Sequence, residues 1–380
     1  MSGWLFLPPY CGTRKLVYQT AINLGERGHR VILVMATSEF DRNKFKSSQG
    51  NVDFELVPVK KTAYALYFVI GIVLRKMVDF VWAPLSNILR SWILKLFWMN
   101  NLYIRIAPFH PHVIIAEDMY VAPAVSRIAE ISKLPFVYRI HHIYSLIYKH
   151  HPFKEILRKW EMSVLKKADL LLTLTYGDKE TANKMFGVSP QVTQFGIDLP
   201  DSFGATETLE PKANKFVLYI SSYLGKEMYW LIEAANSFPD TTFIFVGRGS
   251  NASVRLPKNI RRLGIVSEQE LAALYRDCKF VFIPSEWSPG QGFPIKLAEA
   301  VRSNKPILIN KKASWLLPRT PSGIHTFTRV SDLRQKIDFL LNDQQNITRD
   351  FHLFDWSIAS WQIEQALKEM LSSKLGENIC

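Results

Sequence analysis

The chain has 380 residues, of which 48% are hydrophobic and 21% are charged, and its formal net charge is +13. This composition excludes disordered, collagen-like and low-complexity proteins, and the length corresponds to two ordinary domains. The positive charge predicts an anionic partner, which could be nucleic acid, a phosphorylated ligand or an acidic membrane surface. Cys11, Cys278 and Cys380 are far apart and form no CxxC pair, so we expect neither a disulfide framework nor a structural zinc site.

The N-terminus has no basic leader and only a short apolar run, so we expect no cleaved signal peptide and a cytoplasmic protein. The most apolar region, residues 63–107, is interrupted by charged residues too often for a transmembrane helix. Tryptophans and basic residues alternate within residues 64–105, which is typical of an amphipathic surface at acidic lipid headgroups or of core helices in the first domain. We favour the lipid surface and expect peripheral association with the inner face of the membrane.

Short apolar runs alternate with helical patterns through the first half of the chain. Strands are predicted at residues 4–7, 30–35, 113–116, 136–140 and 170–174, and helices at residues 14–28, 122–132 and 152–167. This alternation predicts a parallel sheet that is covered on both faces.

The second half repeats the pattern after a polar linker at residues 196–214. Strands are predicted at residues 216–220, 242–246, 260–263, 280–283 and 306–309, and helices at residues 230–237, 267–277 and 294–303. The sequence thus predicts an α/β protein with two Rossmann-like, doubly wound domains that face an interdomain cleft. Ligands of such domains bind outside the carboxyl ends of the strands.

The most informative segment is the Gly-containing loop and helix after the strand at 280–283. Pro294 suits a first helical turn, and a helix N-terminus with free N–H groups attracts a diphosphate. Lys296 and Glu299 are three residues apart and share a helical face. The ammonium could bind phosphate while the carboxylate accepts hydrogen bonds from ribose hydroxyls, so this segment predicts a nucleotide-binding site.

The same segment resembles the GT-B glycosyltransferases of family 4, whose signature is two glutamates separated by seven residues. Here the match is Gln291-Gly-Phe-Pro-Ile-Lys-Leu-Ala-Glu299, with glutamine in the first position. The lysine in this pattern is also similar to that of the xanthan glucuronosyltransferase branch, in which it binds the donor diphosphate. The resemblance implies eight donor-binding residues: Gly12, Lys226, Arg248, Gln291, Gly292, Phe293, Lys296 and Glu299. The family's clamp arginine is replaced by Ser221.

The resemblance extends over nearly the whole chain and implies its domain organisation. Gly196-Ile-Asp198 resembles the interdomain signature, and Phe354-Asp-Trp-Ser357 resembles the start of the C-terminal helix. We therefore expect an acceptor-binding domain at residues 1–195 and a nucleotide-sugar domain at residues 196–350. Residues 351–380 are expected to form a helix that crosses back to the first domain.

Candidate catalytic groups follow the strands of the first domain. His141 and His142 are adjacent, and if they continue a strand they point to opposite faces, so at most one faces the substrate. The resemblance implies an active-site histidine here. In the xanthan branch, the position that matches His142 is occupied by an aspartate that acts as the base. Asp118, after the preceding strand, is a further candidate base. A neutral histidine could deprotonate an acceptor hydroxyl in an inverting reaction or polarise the reactants in a retaining one; the family favours retention.

The sequence therefore predicts a hexosyltransferase of polysaccharide biosynthesis in the cell envelope. It would use a UDP- or GDP-linked sugar and a hydroxyl of a membrane-associated glycan or lipid-linked acceptor. No Asp-x-Asp motif occurs, so we expect no metal and no cofactor, with the helix dipole and a lysine stabilising the leaving group. One alternative is an inactive nucleotide-sugar-binding homologue, suggested by Gln291 and Ser221. The other is a nucleic-acid-binding protein, suggested by net charge alone.

Overall fold

The computed structural model describes residues 2–3, 12–37, 48–49, 52–58, 88, 103–104, 106–197, 216–221, 227–247, 255–317, 322–342, 347 and 354–375. The chain divides into two compact units. The first comprises Met1–Gly196, Pro289–Phe293 and Asp355–Cys380, and the second comprises Ile197–Ser288 and Pro294–Phe354. The segment Pro289–Phe293 thus groups with the first unit, whereas the sequence alone suggested that residues 196–350 form one domain.

The sheet of the first unit is built from short apolar segments. Its described strands are β1 Ser2–Gly3, β2 Val31–Thr37, β3 Ser48–Gln49, β4 Val52–Pro58, β5 Ile114–Ala116, β6 Phe136–Ile140, β7 Leu170–Thr173 and β8 Gln191–Val192. Their order is β3-β4-β2-β1-β5-β6-β7-β8. All neighbours are parallel except β3 and β4. The strand order reverses between β1 and β5, which is where a doubly wound sheet opens a ligand crevice.

The sheet of the second unit is wholly parallel in the described residues. Its strands are β9 Phe216–Ile220, β10 Thr242–Val246, β11 Ile260–Gly264, β12 Phe280–Ile283, β13 Ile307–Asn310 and β14 Ile324–Phe327. They are arranged as β11-β10-β9-β12-β13-β14, the strand order of a dinucleotide-binding Rossmann fold. The switch point lies between β9 and β12, so segments that follow these two strands meet at one crevice.

Helices alternate with the strands in both units. They are α1 Gly12–Glu26, α2 Ala122–Ser132, α3 Tyr144–Ile147, α4 Lys154–Leu165, α5 Tyr176–Phe186, α6 Glu227–Ser237, α7 Glu268–Asp277, α8 Ile295–Arg302, α9 Val330–Asn342 and α10 Trp356–Leu375, with 3-10 turns at Ala107–Phe109 and Lys311–Leu316. The long helix α10 returns to the first unit, where Ile363, Ala366 and Met370 join the core that contains Val17 of α1. Arg27 also forms an ion pair with Glu364 of α10.

Most predicted elements occur, and the omissions have identifiable causes. The predicted strands at 136–140, 216–220, 242–246 and 280–283 have those bounds in the structure. The strands β4 and β14 were not predicted: Val-Asp-Phe-Glu-Leu-Val-Pro alternates apolar and charged residues, a strand pattern that the prediction passed over, and Ile-His-Thr-Phe is very short. The predicted strand at 4–7, most of the linker, and most of residues 64–105 lie outside the described residues.

Among the described helices, none combines the length and the apolar character that crossing a bilayer requires.

Candidate functional site

The loop between β12 and α8 prepares an open helix N-terminus. Pro294 occupies the N-cap position in an extended conformation, and α8 begins at Ile295 with no side chain capping it. One first-turn donor is used within the helix, because the Leu297 N–H donates to the Pro294 carbonyl at 2.9 Å; the N–H groups of Ile295 and Lys296 precede it. Backbone N–H groups in this arrangement, together with the positive end of the helix dipole, form a binding site for an anionic oxygen.

Lys296 lies in the first turn of α8 and is largely buried, with 16% of its side chain exposed. Its Nζ donates to Ser285 Oγ at 3.1 Å and lies 3.7 Å from Glu227 Oε2. The same ammonium is 4.9 Å from the ring centre of Trp287, within cation–π range. Burial lowers the pKa of Lys296 and the Glu227 charge partly offsets this.

Both ends of this cluster belong to the switch point of the second sheet. Ser285 follows β12, and Glu227 begins α6 after β9. Glu227 also accepts hydrogen bonds from the hydroxyls of Tyr219 and Ser221, both at 3.3 Å. Ser221, at the position where the resemblance implies an arginine, thus donates to Glu227, the acidic partner of Lys296. Among the described residues, Lys296 supplies the positive charge beside Glu227 and Ser285.

Glu299 has a partner of its own. Tyr275 donates its hydroxyl to Glu299 Oε2 at 3.3 Å, with the carbonyl of Lys296 at 3.4 Å as a second acceptor. Burial, followed by the Glu299 charge, raises the pKa of Tyr275 well above its ordinary value, so the phenol remains a donor. Lys296 and Glu299 share the first turns of α8, as the spacing suggested, but each is oriented by different side chains.

The three loop residues proposed to bind the donor differ in exposure. Gln291 is exposed, Gly292 is buried and Phe293 is partly buried. Phe293 packs edge-on against Phe195, with ring centres 5.1 Å apart. Phe293 therefore anchors the loop by aromatic packing, while Gln291 presents its side chain at the surface.

His141 belongs to a buried charge cluster in the first unit. Its Nε2 lies 2.9 Å from Glu117 Oε2, and Arg139 Nη1 lies 3.8 Å from the same oxygen. Burial raises the pKa of Glu117, but the Arg139 charge and the His141 hydrogen bond outweigh it, so the net pKa is lowered. Glu117 is thus an ionised carboxylate, and its hydrogen bond occupies Nε2 of His141.

His142 has the opposite character. Its Nδ1 is buried and has no hydrogen-bond partner among the described residues, and its ring stacks near Tyr144 with centres 6.1 Å apart. Burial, followed by the neighbouring His141, lowers the pKa of His142 to about 4. The imidazole is therefore neutral near pH 7, and its Nδ1 has no hydrogen-bond partner among the described residues, which suits it to accept a hydrogen bond from a substrate hydroxyl. The lowered pKa also makes it a weak base.

Asp118 is linked to His142 by Tyr144, which contacts both residues. Its Oδ1 accepts the Tyr120 N–H at 2.9 Å and the Tyr144 hydroxyl at 3.5 Å. Burial raises the pKa of Asp118, although the Tyr120 hydrogen bond opposes the shift. Tyr144 thus contacts both candidates, through its hydroxyl to Asp118 and through its ring to His142.

Sequence reasoning missed two buried carboxylates beside these groups. Glu161 accepts the backbone N–H groups of Tyr144 and Ser145 at 2.5 and 3.1 Å, and burial raises its pKa to about 7. Asp178 accepts the Gly290 N–H at 2.7 Å. The only sequence signal for either is the capping pattern Thr175-x-x-Asp178, which marks a helix start but not a loop contact.

Three further residues were proposed to bind the donor. Lys226 and Arg248 lie outside the described residues, and of Gly12 only its backbone position at the start of α1 is described. Within the described ranges, no group of three or more His, Cys, Asp and Glu side chains could hold a metal ion.

Two family models match the chain over most of its length. The model described as Glycosyltransferase Family 4 matches residues 10–200, just over half of the chain. The model described as Glycosyl transferases group 1 matches residues 214–346. No curated protein matches the sequence at a significant level.

Solved structures share the fold at low sequence identity. Sucrose-phosphate synthase from Thermosynechococcus elongatus is 13% identical with a TM-score of 0.68, covering 96% of this chain and 94% of its own. HepE from Anabaena, solved with UDP and glucose, is 16% identical with a TM-score of 0.65, covering 97% and 98%. The lipopolysaccharide outer core galactosyltransferase WaaB is 12% identical with a TM-score of 0.62, covering 96% and 97%. Each unit has a largely parallel sheet with alternating helices. This architecture, the likenesses to solved structures and the family match together establish that the chain has the GT-B fold and belongs to glycosyltransferase family 4.

Proposed function

We propose that the protein transfers a hexose from a UDP- or GDP-linked sugar to a hydroxyl of a membrane-associated glycan or lipid-linked acceptor, without a metal ion. The observation that carries the proposal is the buried Lys296 ammonium at the uncapped N-terminus of α8. A cation and free N–H groups at the switch point of a Rossmann sheet are the features that bind a diphosphate. HepE, which shares the fold, has been solved with UDP-glucose, and this supports a nucleotide-sugar donor here.

The proposed chemistry follows from these groups. When the bond between sugar and diphosphate breaks, negative charge develops on the leaving phosphate. The acceptor oxygen forms the new glycosidic bond, and its proton passes to the leaving diphosphate. Lys296 and the dipole of α8 are placed to stabilise that charge, which is the task of a divalent metal in other transferases. Glu299 would accept hydrogen bonds from ribose hydroxyls, and His142 would bind the acceptor hydroxyl. We infer retention of the anomeric configuration from the family; NMR of the product's anomeric proton distinguishes it from inversion.

The donor proposal predicts thermal stabilisation by one nucleotide class. A panel of UDP-, GDP-, ADP- and TDP-sugars, measured in EDTA, should contain a class that raises Tm. At 100 times Kd the stabilisation is about 2.7 kcal/mol, or roughly 5–10 °C for a domain of this size. Glu299→Ala should abolish the shift, because the carboxylate that binds ribose is lost.

Glu233→Ala is the matched control for this experiment. Glu233 is also a partly buried helical glutamate of the second unit, paired with Arg334 on the surface, so its loss should leave the ligand shift intact. A panel with no shift would contradict the donor site. A donor that binds but is never turned over would support the inactive homologue instead, and turnover that disappears in EDTA and returns with added metal would overturn metal independence.

The proposed acceptor predicts binding to acidic membranes. The net charge of +13 should attract an anionic leaflet, at about 1 kcal/mol for each basic residue near the surface. We expect the protein to sediment with vesicles that contain 30 mol% phosphatidylglycerol, and to remain in the supernatant with pure phosphatidylcholine. Because the attraction is electrostatic, 0.5 M salt should release it. Equal sedimentation with both vesicles, or with neither, would refute the acidic-membrane proposal.

A further inference from the structure

The segment Pro289–Phe293 is held to the first unit by both backbone groups of Gly290. Its N–H donates to Asp178 Oδ1 at 2.7 Å, and its carbonyl accepts the Ile143 N–H at 2.9 Å. Ile143 immediately follows His142 in the chain. The two hydrogen bonds therefore fix the loop directly beside the candidate catalytic histidine.

Asp178 is itself rigidly held at the start of α5. Its N–H donates to Thr175 Oγ1 at 2.9 Å, and the Thr175 hydroxyl donates to Asp178 Oδ2 at 2.8 Å. Asp178 is only 4% exposed, and burial raises its pKa although the Gly290 hydrogen bond opposes this. Capping of α5 uses one carboxylate oxygen, whereas the second oxygen is directed at a residue 112 positions away. Burying a carboxylate is costly unless its oxygens are hydrogen-bonded, and the Gly290 N–H supplies the bond that the second oxygen needs. The same bond ties the loop to α5.

The packing of the loop leaves little space for it to move. Gly290 has a φ of +88°, and a Cβ there would lie 3.0 Å from Leu146 and 3.1 Å from Ile143. Gly292 has a φ of +74°, and its Cβ would lie 2.6 Å from the His141 carbonyl oxygen and 3.4 Å from the His142 ring. Gly290 and Gly292, which flank Gln291, therefore pack directly against the histidine segment.

We propose that Asp178 is a positioning residue for sugar transfer. By holding Gly290, its carboxylate sets the place of Gln291 and Gly292 relative to the His142 ring. This inference rests on the proposed function and on the role that the family resemblance implies for position 291, which is contact with the donor sugar. The nucleotide part of the donor is assigned to Lys296 and Glu299, which are oriented by Ser285 and Tyr275. Loss of the Gly290 contact should therefore affect the sugar and leave the nucleotide unaffected.

The test compares nucleotide affinity with turnover in Asp178 variants. We expect Asp178→Ala to lower kcat by about 10- to 100-fold, since a misplacement of about 1 Å can cost 100-fold in rate. Its Kd for the free nucleoside diphosphate should stay within about 2-fold, while the extra affinity contributed by the sugar is lost. Asp178→Asn should restore most of kcat, because the amide oxygen can still accept the Gly290 N–H.

Two further variants separate the positioning role of Asp178 from its effect on folding. Asp178→Glu keeps the charge but lengthens the side chain, so it should fold and still lose about 10-fold in kcat; it decides the matter if Asp178→Ala is unfolded. Ser267→Ala removes the comparable cap of α7, where Ser267 Oγ accepts the Glu270 N–H, and should lower Tm without changing kcat.

Three outcomes would overturn the inference alone: wild-type kcat in Asp178→Ala, equal losses in Asp178→Asn and Asp178→Ala, or a matching loss of nucleoside diphosphate affinity. A wild-type protein that neither binds a nucleotide sugar nor turns one over would overturn the proposed function, and this inference with it.

Discussion

Replacing His142 with alanine is expected to lower kcat by about 100-fold, the cost of misplacing the acceptor hydroxyl by about 1 Å. The affinity for free nucleoside diphosphate should stay unchanged. The reason is that His142 is a neutral ring whose buried Nδ1 has no partner among the described residues, while the proposed nucleotide contacts belong to α8. Steady-state kinetics and calorimetric binding to the variant measure the two effects separately. The exposed His150 is the control, and His150→Ala should retain full activity.

The pH dependence of the wild-type enzyme tests the pKa of His142. Because the folded pKa of His142 is about 4, the acid limb of kcat/KM should lie between pH 4 and 5 rather than near the ordinary value of about 6.5. An acid limb near 6.5 that disappears in His142→Gln would show that the imidazole is not buried in its neutral form.

The same shift has a consequence for stability. A depressed folded pKa means that the unfolded state binds the proton more tightly, so the contribution of His142 is complete above pH 6.5 and is lost as the pH falls towards 4. The gap corresponds to about 3 kcal/mol. Glu161, with its pKa raised to about 7 by burial, changes stability in the opposite sense, losing its contribution as the pH rises from 4.5 to 7. The difference in unfolding free energy between wild type and His142→Gln cancels Glu161 and isolates the histidine.

Gly292→Ala should reduce kcat/KM by 100-fold or more, about the cost of a 1 Å displacement of reacting groups. An added methyl group would lie 2.6 Å from the carbonyl oxygen of His141, and backbone cannot yield without moving His142. The left-handed φ of +74° adds about 1–2 kcal/mol of strain. Kinetics together with thermal melting measure both effects.

Gly187→Ala is a closely matched control for the backbone strain. Gly187 also has a left-handed φ, +68°, but a Cβ there would meet nothing within 4 Å. It should therefore show a similar strain penalty and keep its kcat/KM. Equal losses of activity in the two variants would mean that strain alone, and not the contact with His141, explains the effect of Gly292.

The α8 segment shows how far local sequence predicts a site. Its strand, glycine loop, Pro294 and helix were all predictable, because each depends on residues a few positions apart. The spacing of Lys296 and Glu299 placed them on one helix, but it could not reveal that Ser285 and Glu227 orient one and Tyr275 the other. Those partners come from other elements, which only the folded sheet brings to the switch point.

The first unit shows the same division at the histidine pair. If His141 and His142 continued the strand they would face opposite ways, but β6 ends at Ile140. Which one would be bound to a carboxylate depended on Glu117, a residue that follows a different strand, β5. The role of Asp178 was still less accessible, since its partner Gly290 is 112 positions away and the capping pattern around Thr175 explains the residue without it.

The sequence by itself determined the two parallel α/β units, the open helix N-terminus and the choice of candidate residues, because periodicity, turn chemistry and motif spacing are local properties. Only the tertiary structure decided which of these residues are buried, paired or left without a partner. Burial and long-range contacts set the pKa of His142, the orientation of Lys296 and the hold of Asp178 on Gly290. These quantities depend on distances between segments that are remote in the chain, and no local pattern encodes such distances.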